Sequence, residues 1–93
     1  MATPRPIHEV RYASHFERAY ARLPLDLRRT AEERLSLFKR DAFDPRLRTH
    51  KLRGSLEGYW SFSITRKHRV LFRFLRWDAA LFYDVGDHRV YRP

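Results

Sequence analysis

Residues 59–85 read YWSFSITRKHRVLFRFLRWDAALFYDV, and the alternation inside this stretch decides the fold. Three runs, 59–65, 68–76 and 79–85, are separated by Arg66-Lys67 and by Trp77-Asp78. A period of two marks a strand with one buried face, so the runs predict an antiparallel meander. Trp60, Phe62 and Ile64 then point to one side, as do Val70, Phe72 and Phe74, with Arg69, Leu71 and Arg73 on the other. Immediately upstream, residues 50–53 read as one more strand and residues 54–58, from Gly54 to Gly58, as the turn after it.

Further upstream the period lengthens. Leu27, Ala31, Leu35 and Phe38 form an apolar stripe that predicts a helix over 25–40. Arg28, Arg29, Glu32, Glu33 and Arg34 lie mostly off the stripe and read as a solvated face with local Glu–Arg pairs. Phe16, Ala19, Tyr20 and Leu23 mark a shorter helix that ends before Pro24, and Ser14 with Glu17 three positions on has the pattern of a capping box. Residues 7–12 alternate and predict a short edge strand, kept extended at its start by Pro4 and Pro6. Residues 41–48, with Pro45, read as a polar connector. The order is β-α-α-β-β-β-β. It predicts an α+β fold with two amino-terminal helices on one face of a small, mainly antiparallel sheet.

The chain has 93 residues, enough for one domain, 1–93, and too few for a second core. A hydrophobic content of 43% and an aromatic content of 15% suit a packed globule. Twenty Lys and Arg against eleven Asp and Glu give a formal charge of +9, a field that attracts polyanions or an acidic protein and argues against a neutral metabolite. Charge is unevenly spread: residues 1–45 are net +2, residues 46–93 net +7. The second half is therefore where a binding face is expected. Arg supplies seventeen of the twenty cations, and its planar fork suits phosphate and stacks on bases, although a compositional preference for Arg explains those on the helices equally well.

Cysteine is absent, which excludes disulfides, thiolate nucleophiles and Cys-based zinc sites. The start lacks the apolar run of a signal peptide, and no window approaches the roughly 18 apolar residues of a membrane span. A cytoplasmic protein with no membrane contact is the expectation. The histidines are scattered, so no metal site is expected. Gly54, Gly58 and Gly86 each fit a turn or strand end, so no nucleotide or other small-molecule cofactor is expected either.

Strand alternation sets Arg69 and Arg73 on the face away from the helices, and on that reading their guanidinium groups stand side by side. As plain surface groups they would snorkel over Leu71 and Leu75, the simpler account for Arg73. His50 opens the first strand after the helices and His88 follows the last one. A meander is able to bring them together, and two imidazoles flanking a phosphate suit proton transfer near neutral pH. On spacing alone, two surface histidines are the simpler account. His68, beside Arg69, reads as an orienting or packing residue. Tyr91 suits base stacking or hydrogen bonding to phosphate, and equally an anchor for the tail. Trp60 alternates with core positions, whereas Tyr59 falls on the Arg69 side.

With these residues in view, His50-Lys51-Leu52-Arg53-Gly54, Gly58-Tyr59-Trp60-Ser61, Ile64, His68-Arg69-Val70, Asp84-Val85-Gly86-Asp87-His88 and Tyr91 resemble the RelE/ParE superfamily of bacterial toxins, nearest the RelE, YoeB and YafQ type. The likeness runs over essentially the whole chain. It implies the toxin of a type II toxin–antitoxin system: a small metal-independent endoribonuclease that enters the ribosomal A site and cuts mRNA. There the 2′-hydroxyl attacks the adjacent phosphate, leaving a 2′,3′-cyclic phosphate and a 5′-hydroxyl. By the same resemblance His50 is the general base, Arg69 stabilises charge on the phosphate, His88 is the general acid and Tyr91 orients substrate. Lys51, Arg53, Tyr59 and Arg73 are the accompanying RNA-binding candidates. RelE itself uses lysines and arginines where this chain has a histidine pair, and Lys51 and Arg53 stand beside His50. The interval from His88 to Tyr91 also differs by one residue from some relatives. The implied partners are the ribosome, its mRNA and an acidic antitoxin that folds around the toxin. Two other functions fit the same sequence: a ParE-like inhibitor of DNA gyrase without nuclease activity, and a non-catalytic RNA-binding module.

Overall fold

The computed structural model describes residues 3–91. Strand β1 (Glu9–Tyr12) leads into helices α1 (Ser14–Ala21) and α2 (Leu25–Arg40), followed by strands β2 (His50–Lys51), β3 (Trp60–Ser63), β4 (Arg69–Arg76) and β5 (Ala79–Gly86). Short 3₁₀ turns occupy Pro45–Leu47, Gly54–Leu56 and His88–Tyr91. The strands form one sheet in the order β1-β5-β4-β3-β2. β1 runs parallel to β5 and every other pairing is antiparallel. This is the expected α+β arrangement, with the expected element order. Among the described residues no helix is long and apolar enough to cross a membrane.

The alternation in residues 59–85 produces the core. Phe62, Ile64, Val70, Phe72 and Phe82 are all buried on the helical side of the sheet, and Phe38 of α2 is wholly buried among them. The Phe38 ring centroid lies 4.9 Å from Phe62, 5.0 Å from Phe72 and 5.4 Å from Phe82, a mixture of stacked and edge-to-face contacts.

Three local expectations are corrected. Ser14 does not cap α1: it is already the first helical residue, and Ala13 occupies the cap position without a side-chain hydrogen bond. The reason is the sheet. The Ala13 N–H donates to the Phe82 carbonyl at 2.9 Å, so the backbone is still bonded to β5 one residue before the helix starts. The connector 41–48 is polar in sequence yet buries Ala42 and Leu47 completely. It folds inward because the Asp41 carboxylate accepts from the N–H groups of Arg5 and Phe43, and the Asp44 carboxylate caps the Pro45–Leu47 turn through the Arg46 N–H.

The third correction concerns the face away from the helices. Leu71 is 2% exposed and Ser61 fully buried, whereas Arg stems over Leu71 would have left that face half open. The His88–Tyr91 turn folds back onto the sheet, with Val90 5% exposed and the Tyr91 hydroxyl hydrogen-bonded to Ser61 Oγ at 2.8 Å. A register irregularity between Leu71 and Phe72 makes Tyr83 an extra residue in β5, which lets Phe82 and Val85 both face the helices.

Candidate functional site

Antiparallel strands gather alternate ends. The start of β2, the end of β3, the start of β4 and the end of β5 therefore meet at one end of the sheet. Register ties them: His50 lies opposite Ser61, Ser63 opposite Arg69, and Arg69 opposite Gly86. Paired residues share a face, so His50, Ser61, Ser63 and Arg69 all stand on the side away from the helices.

Arg69, His88 and Tyr91 line one cleft at this end, together with Arg66, Lys67 and Asp87; its volume is about 530 Å³. The half-buried Arg69 is held from behind. Its Nη1 donates to the carbonyls of Thr65 at 2.7 Å and His68 at 3.1 Å, which leaves the Nε and Nη2 edge of the fork without a hydrogen bond among the described residues. The turn supplying those carbonyls is laced by Thr65 Oγ1, which bonds His68 Nδ1 at 2.9 Å and accepts from the N–H groups of Lys67 and His68. His68 thus orients the turn, as its sequence position suggested.

His88 is exposed, and its Nδ1 lies 4.0 Å from Asp87 Oδ1. Asp87 is occupied elsewhere: Arg89 donates from Nε at 2.9 Å and Nη2 at 3.0 Å, which holds the Asp87 carboxyl well below the usual carboxylate range. Val90 and Tyr91 pin the turn to the sheet, so His88 projects outward beside Arg69.

His50 lies outside this cleft, two strands from Arg69. Its Nδ1 is 2.9 Å from the Arg48 carbonyl, which only accepts, so the neutral ring carries its hydrogen on Nδ1 and presents the Nε2 lone pair. The link to the cleft runs through Ser61, the register partner of His50 and the hydrogen-bond partner of Tyr91.

The RNA-binding candidates separate. Lys51 pairs with Trp60 and therefore belongs to the opposite face from His50. Arg53 is exposed in the loop after β2, toward the far end of the sheet. Tyr59 and Arg73 do meet, with the guanidinium carbon 5.4 Å from the ring centroid, and Tyr83 lies 5.8 Å from Tyr59. Arg69 and Arg73 share a face but do not stand side by side: four residues of strand separate them by about 13 Å, and Arg69 turns back toward Thr65. Among the described residues no three His, Asp or Glu side chains converge as metal ligands do.

Ser61, Thr65 and Arg48 were not among the sequence candidates, though each positions one of them. Ser61 and Ser63 carried a readable sign: small residues alternating with Trp60 and Phe62 leave room for something to cover that face.

No family model matches the chain, and no curated protein matches its sequence. Solved structures do match. A YoeB/ParE toxin from Agrobacterium tumefaciens superposes with a TM-score of 0.72 at 20% identity, over 86% of this chain and 98% of that one. The toxin–antitoxin complex RelBE2 from Mycobacterium tuberculosis gives 0.72 at 20% identity, over 92% and 100%. YafQ from E. coli gives 0.70 at 14% identity, over 91% and 98%. At such identities the common property is the backbone arrangement, and the chain therefore has the fold of the RelE, YoeB and YafQ toxins.

Proposed function

We propose that the chain is the toxin of a type II toxin–antitoxin pair and acts as a metal-independent endoribonuclease on mRNA in the ribosomal A site. The observation that carries this reading is the cleft shared by Arg69, His88 and Tyr91, with His50 at the same end of the sheet. In the reaction, the Nε2 of His50 takes the proton of a ribose 2′-hydroxyl, and the 2′-oxygen attacks the adjacent phosphorus. The free edge of the Arg69 fork donates to the non-bridging oxygens as negative charge builds there. His88 gives a proton to the departing 5′-oxygen, so the P–O5′ bond breaks to leave a 2′,3′-cyclic phosphate and a 5′-hydroxyl. Tyr91 contributes by holding the turn that carries His88.

The partner of such a toxin is an acidic antitoxin, and the +9 charge suits one. RelBE2, similar in fold, is a toxin–antitoxin complex.

The test is cleavage of mRNA on translating ribosomes, with mapping of the product ends. Wild-type protein should yield 2′,3′-cyclic phosphate ends, and Arg69→Ala should lower the single-turnover rate by about 10²–10³. Intact mRNA at saturating wild-type protein would overturn the nuclease. It would favour the non-catalytic RNA-binding module, a reading that the position of His50 outside the cleft also favours.

A further inference from the structure

On its other side, Arg69 borders a second cleft of about 450 Å³. Arg34 of α2, Arg46 and Arg48 around the Pro45–Leu47 turn, and Arg66 and Arg69 line it with Ser63, Ile64 and Thr65. Five arginines thus line one space, and among the described residues no carboxylate lines it. Only Arg46 has its charge answered locally, by Asp44 at 2.8 Å and 3.0 Å. Arg69 is bound to carbonyl dipoles, and Arg34, Arg48 and Arg66 have no ion pair among the described residues. Like charges gathered in this way repel unless an anion enters between them.

Backbone conformation adds a second, independent sign. Arg48 has φ 52° and ψ 40°, the left-handed region, and it is the one non-glycine residue with positive φ among those described. Glycine adopts that conformation freely and an arginine does not. The chain nevertheless carries a cation there, in the lining of the cleft, with its carbonyl bonded to His50.

Arg66 and Arg69 line this cleft and the one holding His88 and Tyr91, so the two spaces meet at Arg69. From these observations we infer that the Arg34–Arg48–Arg66 cleft is a second phosphate subsite, which grips a phosphodiester of single-stranded RNA neighbouring the one at His88 and Tyr91. This rests on the RNA reading above and adds a binding step to it. An acidic protein segment fits less well. Such a segment offsets its ordering cost by burying apolar side chains, and Ile64 is the only apolar side chain here. A phosphate offers oxygens in several directions to several forks at once.

The experiment measures equilibrium binding of 2′-O-methyl oligonucleotides, which lack the attacking hydroxyl, to the full chain. A dinucleoside monophosphate carries one phosphodiester and a tetranucleotide three. The tetranucleotide should bind at least about tenfold tighter. Arg34→Gln and Arg48→Gly should each remove most of that gain and flatten the salt dependence of tetranucleotide binding by roughly 0.7 in log–log slope, and Arg34→Gln, which touches nothing at the first site, should leave the dinucleotide affinity within about twofold. Arg48→Gly relieves the left-handed strain, so a thermal melt should show it folded. An affinity gain that survives in both variants would overturn the subsite, as would no gain at all. Pyrophosphate binding as tightly as the tetranucleotide, with the same Arg34 and Arg48 dependence, would make this a free-phosphate site. An acidic peptide that binds with the Arg34 and Arg48 dependence while the tetranucleotide shows none would make it a protein site, and either result overturns the inference. Cleavage is read separately on ribosomes: length-dependent binding without cleavage sinks the nuclease and keeps the subsite.

Discussion

Tyr20 and Arg69 show what a single side chain owes to its setting. Tyr20 donates its hydroxyl to Glu32 at 2.7 Å, and partial burial, reinforced by that carboxylate, pushes its ionisation up to about 12. The unfolded chain loses this proton near 10, the folded chain only near 12. Between those values the native state binds more protons, so stability falls as pH rises. Tyr20→Phe should remove that part of the alkaline loss, which thermal melts at pH 9, 10 and 11 would reveal as a shallower decline. No such decline in the wild type would disprove the coupling. At this scale the sequence is informative where the side chain's direction follows from strand parity, as for Arg69. It is silent where a partner comes from far along the chain: Ser61 and Tyr91 are thirty positions apart, and no local pattern joins them.

The His88–Tyr91 turn is the element on which the candidate site depends most. Its attachment is Val90 in an apolar seat and the Tyr91–Ser61 hydrogen bond. Ser61 is fully buried, so Tyr91→Phe strands a polar group and should cost about 1–3 kcal/mol, whereas Ser61→Ala leaves the half-buried Tyr91 hydroxyl near solvent and should cost less. Replacing both should therefore cost less than the sum of the two, a non-additivity that urea melts of the three variants would measure. Strict additivity would show that the bond is not formed. Among the elements, α2 was legible end to end because sixteen residues of 3.6 periodicity meet a proline at one side and a change of period at the other. The start of α1 was misread because the sheet claimed the Ala13 N–H, and the connector because two buried apolar residues show no period.

Across the molecule, aromatic side chains join the layers, Phe16 of α1 on Phe82 and Phe38 of α2 on three strands. Phe38 is the contact between α2 and three strands, so Phe38→Ala removes a filled volume that neighbouring rings cannot close without shifting. The loss should be about 3–5 kcal/mol, a large part of the roughly 5–15 kcal/mol available to a domain of this size. A chemical denaturation midpoint unchanged in that variant would contradict the packing described. Layer architecture was open to reading from periodicity, since helices and strands with one apolar side each have few ways to hide it. Strand order and the covering of the second face were not, because they depend on which distant segments compete for the same edge. The two border strands also have a consequence for behaviour in concentrated solution. β1 offers four residues and β2 only two, so an outside chain that tried to extend the sheet would find too short a template at either margin. In a small protein with exposed cations and aromatic rings, such brief rims work against growth into fibres.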